Sequence, residues 1–292
     1  MTMAVASSSS APQAAPGELE YTDADFRRIA SILMEDAGIA LPASKAPLVY
    51  SRLAKRLRAL RIRSFKEYCN FVQTEEGTEE RREMMTALTT NVTHFFREPH
   101  HFELLKNRVA PALLDTARRS GRVRLWSAGS STGQEVYSIV MTLLELEPNL
   151  AKYDLKFLAT DIDPKVLEKG REGVYSDTVM ANVSDNMRSR YFTKINSTFE
   201  PSWQVRPEVR ALVSFKELNL HRAFPMRGPF DVIFCRNVVI YFEKSMEEAV
   251  WSRFNSVLTP GGYLFVGHSE RVSGPAAQPL KSCGVTAYQK QG

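Results

Sequence analysis

Val123-Arg-Leu-Trp-Ser-Ala-Gly-Ser-Ser-Thr-Gly-Gln-Glu135 and, further on, Leu155-Lys-Phe-Leu-Ala-Thr-Asp-Ile-Asp163 decide the fold. In the first stretch Val123–Trp126 reads as a strand and Ser127–Gly133 as a loop of small residues. Thr132-x-x-Glu135 reads as a capping box opening a helix, with apolar positions at Val136, Ile139, Val140, Leu143 and Leu144. In the second, the strand Leu155–Thr160 ends on Asp161, and Asp163-Pro164 starts a helix with proline where its missing N–H costs nothing. Later come the strand Phe230–Cys235, a helix capped by Ser245-x-x-Glu248, the turn Thr259-Pro-Gly-Gly262 and the strand Tyr263–Val266. Strands alternating with helices predict an α/β fold with a doubly wound, mainly parallel sheet.

Such sheets bind ligands beyond the carboxyl ends of their strands. A glycine loop after one strand and an acid at the end of the next is an arrangement that holds adenosine. Ala128 and Gly129 bring the backbone close to the ligand, and the Asp161 carboxylate can accept hydrogen bonds from both ribose hydroxyls. The competing role for Asp161, a helix N-cap, is better filled by Asp163; the competing role for the glycines is a tight turn and nothing more. A dinucleotide site would need G-x-G-x-x-G, and a phosphate loop GxxxxGK[ST]; neither occurs. S-adenosylmethionine has no phosphate, and its ammonium and sulfonium suit Glu135 and carbonyl oxygens. The loop favours a methyl donor.

Outward towards the N-terminus the period changes to helical. Thr22-x-x-Asp25 resembles a capping box, with Phe26, Ile29, Leu33 and Ala37 on one face before Gly38. A second helix opens at Ser44, carries Pro47 in its first turn and is expected to bury Leu53, Leu57 and Leu60. Ser64-x-x-Glu67 caps a third, Gly77-Thr78 introduces a fourth through Leu88, and a bridging helix runs from about Phe102 to Arg119. The second helix and its end carry Lys45, Arg52, Lys55, Arg56, Arg58, Arg61 and Arg63, with no acid between Lys45 and Lys66. A solvated face usually mixes signs; a one-signed face repels itself unless an anionic partner meets it. No aromatic interleaving or nucleic-acid motif accompanies the charges, so the expected partner is an acidic protein surface and not nucleic acid. The expected boundaries are a disordered Ser/Ala/Pro tail at 1–18, a helical domain at 19–90, a linker and bridging helix at 91–120 and the α/β domain at 121–292.

Composition limits the rest. The 292 residues are 43% hydrophobic, enough for a substantial core, and Lys+Arg 38 against Asp+Glu 33 leaves only +5. No run of about 18 apolar residues exists to span a membrane. Cys69, Cys235 and Cys283, without a CxxC, give neither a disulfide framework nor a metal site. A monomer of the cytoplasm is expected.

Further motifs lie in order along the chain: Asn91-Val-Thr-His-Phe-Phe-Arg97-Glu98, the two stretches already quoted, Asn219-Leu220, Phe234-Cys-Arg-Asn-Val-Val-Ile-Tyr-Phe242, and Pro260-Gly-Gly-Tyr-Leu-Phe-Val-Gly-His268-Ser-Glu270. Together they make the chain, from about Tyr21 to Tyr288, resemble the chemotaxis receptor methyltransferase (CheR) family. The resemblance implies a Rossmann-like domain that transfers methyl groups from S-adenosylmethionine to glutamates of methyl-accepting chemoreceptors, leaving S-adenosylhomocysteine. It implies that Asn91, Thr93, Arg97, Glu135, Asp161, Asn219, Leu220, Arg236 and Asn237 line the cofactor site, with Arg97 and Tyr241 nearest the methyl. Arg52, Lys55, Arg56 and Arg63 would then face the receptor, and the enzyme would be recruited to receptor clusters. It also implies a small antiparallel β-subdomain at 191–217. In some members that subdomain tethers a receptor peptide through a glycine-rich turn; here Ile195-Asn-Ser-Thr198 has no glycine, which argues against tethering.

A glutamate with a pKa near 4.3 is already an ionised nucleophile at pH 7, so no general base is required. His94, His100, His101, His221 and His268 are accordingly read as packing or surface residues. Methylation of an exocyclic amine would call for an Asx-Pro-Pro-aromatic run, and Asn237-Val-Val-Ile-Tyr241 lacks both prolines. Another carboxylate or amide substrate, or a binding module that senses the cofactor without transfer, are the remaining alternatives. The second of these is opposed by the presence of Asp161, Arg97 and Tyr241 together.

Overall fold

The computed structural model describes residues 19–195 and 201–292. The tail at 1–18 and the turn at Asn196–Thr198 lie outside the described residues. No helix among the described residues is long and apolar enough to cross a membrane.

Contacts divide the chain into two units. One runs up to Leu33 and from Leu41 to Leu88; the other combines Met34–Ala40 with Thr89–Gly292. The bridging helix belongs to the second unit, and so do seven residues at and after the end of the first helix.

In the helical unit, α1 (Asp23–Ala37), α2 (Ala46–Leu60), α3 (Phe65–Phe71) and α4 (Thr78–Leu88) enclose Ile29, Leu33, Val49, Leu53, Leu57, Phe65, Tyr68 and Met84. The capping box at Thr22 closes reciprocally: Thr22 N donates to Asp25 Oδ2 at 3.0 Å and Asp25 N to Thr22 Oγ1 at 3.2 Å. Ser64 Oγ accepts Glu67 N at 3.2 Å and caps α3. Leu60, expected in the core, is 39% exposed, because the left-handed Arg61 (φ 58°) turns the chain away directly after it.

In the second unit, α5 (Pro99–Leu104) continues through a π-helical turn into α6 (Ala110–Arg118). There follow β1 (Val123–Ala128), α7 (Gln134–Leu144), β2 (Leu155–Asp161), α8 (Pro164–Glu172), β3 (Val174–Ser176), α9 (Asp185–Tyr191), β4 (Phe192–Ile195) and β5 (Ser202–Val205). Then come α10 (Pro207–Arg210), β6 (Val213–Glu217), β7 (Phe230–Cys235), α11 (Lys244–Val257), β8 (Leu258–Val266), β9 (Leu280–Gly284) and β10 (Ala287–Lys290). Seven strands form one sheet in the order β6-β2-β1-β7-β8-β10-β9. The first five are parallel and β10 is antiparallel to both its neighbours. Strand order reverses between β1 and β7, which makes their carboxyl ends the switch point where such sheets take ligands. α7 is buried along its whole length and packs on β1, β2, α5 and α10, which explains its apolar sequence.

Three local expectations change. Gly133, at φ 93°, starts α7 without a side-chain cap, so Thr132-Glu135 is not a capping box; Glu135 is engaged elsewhere. α11 begins at Lys244 after an extended Glu243, which places Ser245 inside the first turn. The antiparallel subdomain is the sheet β3-β5-β4, beginning at Val174. Val213–Glu217 instead pairs in parallel with β2 as the edge of the main sheet, where Phe215 is buried.

Candidate functional site

Asp161 ends β2 at 9% exposure, facing the loop that follows β1. Ser131 N donates to its Oδ2 at 2.8 Å and Asp163 N to its Oδ1 at 3.1 Å. Burial pushes this carboxyl up to about 6, against the pull of those N–H donors, and the neighbouring Asp163 adds to the rise. An ionised carboxylate offers about four acceptor positions, so two amides leave room for a ribose. The loop is pinned from below by Gly129 N and Ser130 N, both donating to Thr160 O at 2.8 Å. Gly129 has φ 79°, and a Cβ there would lie 2.3 Å from Val238 Cγ2, so the loops after β1 and β7 meet at this glycine. Asn91 joins the group: Ser131 Oγ donates to its carbonyl at 3.0 Å, and its Nδ2 donates to Asp163 Oδ2 at 3.2 Å. Asp163 is the α8 N-cap, accepting Lys165 N at 2.9 Å. The N-cap role falls to Asp163 and not to Asp161, as the sequence predicts.

Glu135 and Arg236 form a buried ion pair at the carboxyl ends of β1 and β7. Arg236 Nε donates to Glu135 Oε2 at 2.7 Å, and Ser127 Oγ donates to Glu135 Oε1 at 2.6 Å. Arg236 Nη1 donates to Arg97 O at 2.5 Å, lies 3.2 Å from His101 Nδ1 and 3.7 Å from Glu98 Oε2, and the guanidinium sits over the rings of Phe102 and Phe234. Desolvation and Arg236 push the His101 imidazole down to about 4, keeping it neutral, while its Nε2 bonds Val285 O and Thr286 Oγ1. Against the upward push of burial, Arg236, His268 and His101 hold the Glu98 carboxyl below its usual range. Arg97 is half-buried, donating Nη1 to Val92 O at 3.3 Å, and Thr93 is half-buried in the same segment.

Asn237 follows Arg236 with φ 59°, and Tyr241 ends the loop at 37% exposure. Asn219 and the buried Leu220 follow β6; Asn219 Nδ2 donates to Asp36 O at 2.6 Å. Ala40 N donates to Tyr241 O at 2.8 Å. The segment Met34–Ala40 thus holds two of the loops that carry expected site residues. Such backbone contacts leave no sequence signal.

Two regions of the chain match family models: residues 91–289 match the CheR methyltransferase, SAM binding domain, and residues 24–89 the CheR methyltransferase, all-alpha domain. The chain belongs to the CheR methyltransferase family. It is 50% identical over 258 residues to the probable chemotaxis protein methyltransferase of Rhizobium etli, covering 88% of this chain and 96% of that protein. It is 42% identical over 256 residues to the chemotaxis protein methyltransferase of Escherichia coli K12, covering 87% of each. It is 41% identical over 278 residues to chemotaxis protein methyltransferase 2 of Pseudomonas aeruginosa, covering 93% and 94%.

S-adenosylmethionine fits what this CheR domain offers. Asn237 Oδ1 and Ser130 Oγ are buried and have no hydrogen-bond partner among the described residues, and both sit in the loops at the switch point beside Asp161. Buried polar atoms of this kind are satisfied by a ligand's amine and hydroxyl groups. Glu98, His100 and His101 bring potential metal-ligand atoms within 4.8 Å of one another. The positive charge facing that cluster is the Arg236 guanidinium.

In the CheR all-alpha domain the basic helix differs from its sequence reading. Arg56 is paired within the protein, to Glu80 at 2.5 Å and Glu83 at 2.8 Å, and Glu80 also accepts the buried Tyr68 hydroxyl at 2.8 Å. Arg52 donates to Ala87 O and Leu88 O at the end of α4. Acids 24 and 27 residues away in sequence therefore balance part of a helix that carries none itself. Lys55 and Arg63 remain exposed, with Lys45, Arg58 and Arg61.

Proposed function

We infer that the chain transfers methyl groups from S-adenosylmethionine to glutamate carboxylates of methyl-accepting chemoreceptors, forming the methyl esters used in chemotactic adaptation. The observation that carries the reading is Asp161: a buried carboxylate at the end of β2, tied to the glycine loop of β1 at the switch point. Asp161 would hold the ribose hydroxyls. Asn91, Thr93, Ala128, Gly129, Asn219, Leu220 and Asn237 would line the remainder. Glu135 and Arg236, an ion pair, would present their opposite charges to the ammonium and carboxylate of the amino-acid end. When bound, S-adenosylmethionine supplies an electrophilic methyl on a sulfonium.

The protein's own work is orientation. The substrate glutamate is ionised at neutral pH, and holding it in line with the methyl can lower the barrier by roughly 7–11 kcal/mol. Tyr241 would donate its phenol to one carboxylate oxygen, leaving the other to attack, and Arg97 would steer the anion inwards. His101 bonds Val285 and Thr286 through Nε2 and Arg236 through Nδ1, so both ring nitrogens are engaged within the protein and neither is open to substrate. On the helical unit the exposed Lys55 and Arg63 are the better candidates for receptor contact; Arg52 and Arg56 support that face from within.

The test is incubation with labelled methyl donor and receptor-bearing membranes, followed by alkali. Volatile labelled methanol reports an ester; label that stays with the receptor reports a methylated amine and overturns the reading.

A further inference from the structure

Glu270 lies just past β8, four residues after its last residue, Val266. Its side chain is 4% exposed, and five backbone N–H groups donate to its two oxygens. Gly267 N at 2.6 Å and Asn237 N at 2.9 Å reach Oε2; Val238 N, Val239 N and Ile240 N reach Oε1 at 2.9, 2.8 and 3.2 Å. No basic side chain pairs with it among the described residues. Four consecutive amides, starting at the left-handed Asn237, thus converge on one point. That is the geometry of a backbone anion nest, and here a side chain supplies the anion. The packing leaves no slack: a Cβ on Gly267 would lie 2.8 Å from Asn237 N and 2.9 Å from Glu270 Oε2.

We propose that Glu270 is a positioning residue for methyl transfer: its carboxylate folds the Asn237–Ile240 backbone so that Asn237 meets the cofactor and Tyr241 the substrate. This rests on the site assignment of Asn237 and Tyr241 made above. Tyr241 is then held from two directions, through Ile240 by Glu270 and at its own carbonyl by Ala40. Charge-assisted bonds to a carboxylate are stronger than those between neutral amides, so neutralising Glu270 loosens all five donors together. Burial raises the Glu270 carboxyl above its usual range, and the amides that donate to it oppose that rise and favour the ionised form.

Glu270→Gln keeps the shape but turns an NH2 against either the Asn237 and Gly267 amides or the three that follow. Below its melting temperature this variant should bind S-adenosylhomocysteine at least tenfold more weakly by calorimetry. At saturating methyl donor its kcat should also fall at least tenfold. Glu270→Asp, which keeps the charge, should recover part of both. Amides 237–240 and 267 should exchange hydrogen faster while those of β1 and β2 do not. A residue that served stability alone would lower the melting temperature and leave kcat and affinity intact. A folded Glu270→Gln protein with native values of both overturns the proposal, and if that variant does not fold, native values in Glu270→Asp do so. Asn237→Ala separates the two assignments. If it binds natively, the placement of Asn237 in the site is what fails. If it binds weakly while Glu270→Gln binds natively, the positioning role fails.

Discussion

Asp161 is the residue on which cofactor affinity should turn, and its protonation gives the sign of the pH dependence. Ribose hydroxyls donate to the ionised form, and the free carboxyl titrates at about 6. Affinity for S-adenosylhomocysteine should therefore be flat above about pH 7 and fall by up to tenfold per unit below 6. Near pH 6 binding should release a proton, seen as a calorimetric enthalpy that varies with buffer. Asp161→Ala should bind at least tenfold more weakly, lose this acid limb and stay folded; unchanged affinity would remove Asp161 from the site. Arg236 tests the other cluster. Arg236→Met leaves Glu135 and Glu98 buried without their counter-charge, which should cost about 3–5 kcal/mol in urea unfolding at pH 7. Asp161 was legible in the sequence because an acid ending an apolar strand has few structural uses. Glu270 was not, since all its partners are backbone amides that carry no residue identity.

At the scale of elements, the parallel strands β1, β2, β7 and β8 and the acid that ends β2 followed from hydrophobic runs and the Asp-Pro signal, while the order of the strands did not. The helix starts at Thr132 and Ser245 did not. In both places the motif letters are present, but a left-handed glycine or an extended glutamate begins the helix first. The loop after β1 depends on the absence of a side chain at Gly129. Gly129→Ala would put a methyl against Val238 and strain a backbone at φ 79°, at about 1–3 kcal/mol for the strain alone. The variant should lose cofactor affinity and melt lower. Adding Val238→Ala should relieve the collision but not the strain, restoring part of the melting temperature. Full restoration would show that the backbone angle costs nothing there.

For the whole molecule, the sequence showed a helical head and a methyltransferase sheet but not how charge is shared within the head. Arg56 cannot be reversed as a clean test of receptor contact, because Glu80 is buried against it. Lys55→Glu with Arg63→Glu can. Association of the native protein with receptor should weaken with added salt, as the Debye length falls to about 8 Å at physiological ionic strength. The double reversal should bind more slowly at low salt, with less salt dependence and unchanged cofactor affinity, since steering acts mostly on association rate. Native association kinetics at low salt would return the face to an ordinary solvated one. Met34–Ala40 has a different consequence, for the exchange of parts between relatives. The second unit is not one uninterrupted stretch of gene, since residues at the end of the first helix hold Asn219 and Tyr241. A chimera joined at Leu88 would import another protein's backbone to those two loops. One that also keeps residues 34–40 native would change the head and leave the catalytic half whole.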